Sequence, residues 1–281
     1  MDYVSIELDM VVNGKIDHVD IGDAKNVYCD NLFNLTELPN WPNVTCVICN
    51  DCPNLTELPE WRNIKEIICS GCTGLKKLPN WQKILDVDCS DCINLIELPE
   101  WQNVIEVSCY NCPKLTKLPC WPKVTLVHCY SCPELLELPN WPEVRDVCCD
   151  ECLQLIELPN WLNVTEICCL NCPNLTELPN WLNVKAVSCN KCTGLTELPN
   201  WSNVESVFCS DCTGLKELPN WPMIERVFCN HCILLEEIPI RKDIYIRYRN
   251  CPGLEYPPLI VLLQTEYLLE DLKKECILWH V

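Results

Sequence analysis

The sequence predicts a repeat solenoid: a right-handed coil with a parallel sheet on its concave face and short extended or 3-10 return limbs. Three observations predict it. Tryptophan recurs every 20 residues from Trp41 to Trp221. Two cysteine columns keep the same beat, Cys49 to Cys229 and Cys52 to Cys232, and ten units carry both. Proline (Pro39 to Pro239) and leucine (Leu35 to Leu235, Leu38 to Leu218) follow it too, and no insertion breaks the phase between residues 24 and 238. A segment of 20 residues cannot bury its own apolar face. Stacked copies can, because each covers its neighbour and the core becomes continuous.

The elements follow in chain order. Residues 1–23 read as a β-hairpin cap. Val4, Ile6 and Leu8 alternate, Asn13-Gly14 is a tight-turn signal, and Lys15 to Ile21 returns. Residues 24–256 are the repeats, about twelve turns. The first turn already fits, with Leu32 where later turns place cysteine. In each unit, Val44-x-x-Val47-x-Cys49 predicts a short strand, β-branched and with a period-2 step that points Val47 and Cys49 inward. Cys52 falls in the turn after it. Leu58-Pro59 then stops any helix, since proline removes an amide donor and restricts the residue before it. Near the end the phase slips: Cys251 and Leu254 lie 19 residues after Cys232 and Leu235, and Tyr248 takes the inner strand slot. Residues 257–281 hold apolar positions at 259, 262, 263, 268, 269 and 272 between charges, which predicts an amphipathic helical cap.

Val44, Val47, Cys49 and Cys52 fill in order the four slots of the pattern L-x-x-L-x-L-x-x-N/C. In this the chain resembles the leucine-rich-repeat family over residues 24 to 255. The Leu-Pro-x-Trp limb is similar to the short Leu-Pro repeats of secreted bacterial effectors. Cys72-x-x-Leu75-x-x-Leu78-Pro79 is similar to plant immune-receptor repeats. The overall repeat resembles proteins encoded by giant viruses of amoebae. Tryptophan stands where effector repeats usually have leucine, and a second cysteine fills the inner strand slot. The resemblance implies a non-enzymatic scaffold that binds a protein partner, a host factor if the viral likeness holds.

Composition narrows the function classes. The net charge is −19 and no Lys/Arg cluster appears, so the electrostatic footprint of a nucleic-acid binder is missing, and anionic membranes are disfavoured. No apolar run approaches the roughly 18 to 20 residues that cross a bilayer. Met1 to Glu7 has neither the basic nor the apolar region of an export signal. The expectation is a cytoplasmic monomer, in a host cytoplasm or virion by the viral likeness, with mostly reduced thiols. The 27 cysteines cannot all pair internally, being odd in number. The four histidines and seven glycines fall in no metal-ligand, nucleophile or phosphate-binding signature. No cofactor and no catalysis are expected.

Besides disulfide pairing, two readings of the cysteine columns stay open. One is a reduced core ladder, in which buried cysteine behaves as a small hydrophobe. The other is a zinc array, because Cys49-x-x-Cys52 followed by Cys69-x-x-Cys72, and equivalents, imitates a zinc ribbon. The period creates that spacing automatically. Cys148 and Cys168 share an outward slot on adjacent turns and could pair under oxidation.

Recognition is expected where the repeat varies, on the outward strand slots. Tyr110, His128 and Tyr130 form one candidate patch; Phe208 and Phe228 with Arg226 form a second. Asp86, Asp88, Asp91 and Glu106 form an acidic group suited to a basic partner. The Trp column is expected to bury its rings along the return limb. The asparagine two places after it should bond backbone there, and the Glu37 to Glu217 column should line a solvated edge.

Overall fold

The computed structural model describes residues 3–16, 19–239 and 244–254. Thirteen strands of three residues each form one parallel sheet in chain order. They are β1 (Tyr3–Ser5), β2 (Asn26–Tyr28), β3 (Cys46–Ile48), β4 (Glu66–Ile68), β5 (Asp86–Asp88), β6 (Glu106–Ser108) and β7 (Leu126–His128). Then come β8 (Asp146–Cys148), β9 (Glu166–Cys168), β10 (Ala186–Ser188), β11 (Ser206–Phe208), β12 (Arg226–Phe228) and β13 (Tyr245–Arg247). From β2 to β12 every residue pairs with the one 20 further on. Among the described residues the only helix is a 3-10 turn, Leu8–Met10.

The strands are short, yet the backbone ladder is longer. Cys49 N–H donates to the Ile68 carbonyl at 2.8 Å, Asp51 N–H to Ser70 at 2.8 Å, and Lys65 N–H to Thr45 at 2.8 Å. Hydrogen bonds therefore tie each turn to the next from position 45 to position 51. The residue at 51 ends the strand in the left-handed region: Asp51, Asp91, Asn111, Lys191 and their equivalents have φ between 52° and 62°. Asparagine, aspartate and glycine dominate this column because they tolerate that region, and Gly71 (φ 72°) is its glycine.

The inward side chains build the core. Val47, Cys49, Cys52, Leu55 and the Val44 column are fully shielded in turn after turn. Each Cys52-type thiol donates to the carbonyl of the strand cysteine in the preceding turn: Cys72 to Cys49 at 2.9 Å, Cys132 to Cys109 at 3.2 Å, Cys212 to Cys189 at 2.9 Å. Sulfur thus helps to satisfy a buried strand-end carbonyl in each of these turns. Among the described residues all cysteines are free thiols, and all but Cys46, Cys120, Cys148 and Cys168 are buried. Burial pushes the Cys89 and Cys109 thiols well up, and Cys132 up to about 12. Burial favours the neutral form of these three thiols.

The return limb is held by tryptophan. The rings of Trp101, Trp121 and Trp141 stack with centroids 6.0 Å apart and planes within 14°. From Trp61 to Trp221 each indole Nε1 donates to the proline carbonyl of the preceding turn, as Trp121 does to Pro99 at 2.9 Å. The asparagines two places on behave as the sequence implies: Asn63 Nδ2 donates to Pro42 at 2.9 Å and Asn183 to Leu162 at 2.8 Å. The Glu column is exposed from Glu57 on, and the backbone at Lys77 and Lys117 forms parallel β-bridges to Glu97 and Glu137.

The ends differ from the sequence expectation in one respect. The Asn13-Gly14 turn is present, with Val12 bridged antiparallel to Lys15. Among the described residues Tyr3–Ser5 forms no hairpin pairing with the return segment. It pairs in parallel with β2, because an unpaired first strand would leave its backbone groups exposed, and adding to the existing sheet satisfies them. At the other end Val227 pairs with Ile246, an offset of 19, and Tyr248 fills the slot of Cys229. The helix expected over 257–281 lies outside the described residues.

Candidate functional site

The alternation that buries Val47 and Cys49 turns positions 46, 48, 50 and 51 to solvent, so one side chain from each recurs on every turn. Read down the sheet they form columns whose successive members lie about 4.8 Å apart. The column of position 48 runs Tyr28, Ile48, Ile68, Asp88, Ser108, His128, Cys148, Cys168, Ser188, Phe208, Phe228. All are half-buried.

The structure brings Tyr110 and Tyr130 into direct contact. Their rings stack at 4.4 Å with planes 4° apart. Burial, then Tyr110, pushes the Tyr130 hydroxyl up to about 12. His128 lies in register between Ser108 and Cys148, on the strand that leads to Tyr130. Phe208 and Phe228 stack at 4.9 Å, and Tyr245 meets Phe228 edge-on at 5.7 Å. Arg226 donates from Nε to Ser206 Oγ at 3.2 Å, beside this pair. The two aromatic groups are five strands apart, roughly 24 Å, and form separate patches.

The acidic group is differently composed from the one the sequence suggested. Asp86 lies in register between Glu66 and Glu106. Burial, then Glu106 and Glu66, raise its carboxyl to about 6. Asp88 points from the neighbouring column and accepts the Ser90 N–H at 3.0 Å; Asp91, at the left-handed position, accepts from Asn111 Nδ2 at 2.6 Å. These two are held by local bonds, whereas Glu66, Asp86 and Glu106 face one another. The same column continues with Asp146 and Glu166. Burial and Glu166 raise Asp146, and His128 opposes the shift. Glu66, Asp146 and Glu166 were readable by following the first strand position down the period, instead of looking for acids close in sequence.

Other exposed groups lie off the strand face. Ile96, Leu136, Ile156, Leu162 and Leu182 are apolar and exposed on the return side, where most turns place threonine, proline or a charge. A shallow open groove at the strand-entry edge is lined by Lys25, Thr45, Asn63, Lys65 and Lys83, among others.

The ladder residues Cys49, Cys52, Cys69 and Cys72 do not form a set of three or more ligand atoms within 4.8 Å of one another. Among the described residues one such set exists, Cys148, Asp150 and Cys168 on the outer face. The turn thiols are instead committed to carbonyls.

Coils of 20 residues, one parallel sheet of stacked three-residue strands and a ladder residue after each strand define a leucine-rich-repeat solenoid. Solved structures of that class are similar to it. A leucine-rich repeat protein from Bacteroides ovatus is 15% identical, with a TM-score of 0.54 over 89% of this chain and 81% of that one. One from Eubacterium ventriosum is 15% identical, TM-score 0.42, over 83% and 84%. The leucine-rich repeat domain of the type III effector XopL is 16% identical, TM-score 0.42, over 80% and 76%. No protein-family model matches the chain, and no curated protein matches its sequence.

Proposed function

We propose that the outer face of the sheet binds a protein partner, with Tyr110 and Tyr130 as its anchor and the Glu66–Asp86–Glu106 column steering a basic segment onto it. One observation carries this reading. The tryptophans from Trp41 to Trp221 are all buried along the return limb, whereas the tyrosine and phenylalanine pairs stand on the outer face, stacked and held by a rigid sheet. Ordered aromatics lose little side-chain freedom on binding and bury large area, the usual make-up of an interface hot spot. An acidic column beside them raises the on-rate of a cationic partner and repels acidic competitors.

The scaffold reading is non-enzymatic. An open sheet face offers shape and charge; a catalytic site needs convergent groups held away from water. Phe208, Phe228 and Arg226 form a second contact region for a partner long enough to span both patches. The likeness to proteins of amoeba viruses makes a host protein one form of that partner, met in the host cytoplasm.

The test is affinity capture from the source cell with the wild type and with Tyr110→Asp/Tyr130→Asp, followed by mass spectrometry. The account expects the captured protein to disappear with the double variant while far-ultraviolet circular dichroism is unchanged. A control reversal of charge on the return edge, Glu157→Lys/Glu177→Lys, should leave capture intact. Equal capture by wild type and tyrosine variant would reject the face.

A further inference from the structure

Two turns of the repeat break its pattern in the same way. At position 48, where the other strands from β2 to β12 carry Tyr, Ile, Asp, Ser, His or Phe, β8 and β9 both carry cysteine, and the strands are in register Cys148 to Cys168. Their sulfurs and a carboxylate oxygen of Asp150 lie within 4.8 Å of one another, all half-buried. Asp150 is oriented by the fold. Its Oδ1 accepts the Leu170 N–H of the next turn at 2.6 Å, which leaves Oδ2 facing Cys148 Sγ at 3.6 Å.

We propose that Cys148, Cys168 and Asp150 form a binding site for a thiophilic divalent cation, zinc being the ion the donor set fits, on the outer face of the sheet. The reading is independent of partner binding at the tyrosine pair and uses none of the buried ladder. Two thiolates and a carboxylate match Zn2+ in softness and number, whereas Ca2+ and Mg2+ require oxygen throughout. Thiolates on a tetrahedral zinc, about 2.3 Å from the metal, are roughly 3.8 Å apart. The ligand atoms already lie within 4.8 Å of one another, close to that spacing. The Leu170 amide on Oδ1 is the outer-shell bond that keeps a ligating carboxylate aimed. Three protein donors leave a fourth position for water, and the His128 imidazole stands in register with Cys148 one strand away.

Binding exchanges two thiol protons for the ion: both S–H bonds break, two Zn–S bonds form, and two protons leave to solvent. Because proton release accompanies binding, zinc affinity should fall steeply as pH falls.

The experiment titrates the full-length, fully reduced protein with Zn2+ alone, by calorimetry against a chromophoric chelator, and with Co2+ for its thiolate-to-metal absorption. The expected result is one tight zinc per chain and release of two protons. Binding should be lost in Cys148→Ser/Cys168→Ser, weakened roughly tenfold or more in Asp150→Asn, and kept in the control Cys46→Ser/Cys120→Ser. Unchanged thermal unfolding of the apo variants shows that they fold. Three outcomes overturn the proposal: no tight zinc on the reduced wild type, zinc uptake equal in the Cys148/Cys168 variant, or a Cys148–Cys168 disulfide that survives reduction and excludes metal.

Discussion

Replacing Trp121 by alanine removes the ring from the middle of the stack, and the structure sets the size of the effect. Trp121 is fully buried, lies 6.0 Å from both Trp101 and Trp141, and donates to Pro99 at 2.9 Å. Removing a buried tryptophan side chain costs about 3–5 kcal/mol. Each aromatic contact adds about 0.5–1.5 kcal/mol, and the lost indole hydrogen bond to Pro99, whose carbonyl keeps the Trp101 N–H, about 1 kcal/mol. These terms overlap, so the expected loss is about 4–6 kcal/mol. Trp41 begins the stack and meets Trp61 on one side; Trp41→Ala should cost roughly half as much. The assay is urea unfolding followed by far-ultraviolet circular dichroism, extended to a double-mutant cycle. Trp121→Ala and Trp141→Ala share a contact and should couple by about 1 kcal/mol, while Trp121→Ala and Trp201→Ala should add within about 0.5 kcal/mol. A loss under about 1 kcal/mol for Trp121→Ala, or coupling as strong at distance as between neighbours, would refute the stacked-coil reasoning.

Two further predictions concern backbone and charge. Lys191 sits at φ 62° with its side chain exposed; Lys191→Gly should stabilise by roughly 0.5–1 kcal/mol and Lys191→Val should destabilise by about 1–2 kcal/mol, read as shifts of the unfolding midpoint. Asp86 carries a carboxyl raised to about 6. The folded state therefore holds that proton more tightly than the unfolded chain, and stability falls as pH rises from about 4 through 6. Asp86→Asn should be neutral below about pH 4 and stabilising by about 1 kcal/mol at pH 8, after discounting for solvent screening, with the gain shrinking in high salt.

Much of the fold was legible because every coil solves the same burial problem. Trp, Cys, Leu and Val recur at positions where the structure fully shields them, so periodicity and chemistry agreed. The donation of Asn63 and Asn183 to backbone was readable for the same reason. The role of β1 was not: Val4 and Ile6 alternate equally well in a hairpin or in an added parallel strand, and only the open edge of the sheet decides between them. The left-handed residue at position 51 was visible as an Asn/Asp/Gly column, but its meaning depends on where the strand ends. On the outer face the positions of the aromatic side chains were legible, because outward slots follow from alternation. The Cys148–Asp150–Cys168 cluster needed a third donor two residues along the same chain, which becomes a neighbour only once the turn after the strand is built. Glu66, Asp146 and Glu166 were obscured by a search along the chain when the relevant neighbour is 20 residues away.

Deletion of one full period, residues 182–201, tests most directly that each coil depends on its neighbours and on nothing further. The shortened chain should keep a cooperative urea transition and the parent's circular dichroism per residue, with the denaturant slope reduced by roughly one-twelfth. Removing half a period, residues 182–191, would throw every later side chain out of its column and should abolish cooperative unfolding. If the half-period deletion folds as well as the full one, or the full-period deletion collapses the transition, the stacked-coil account is wrong.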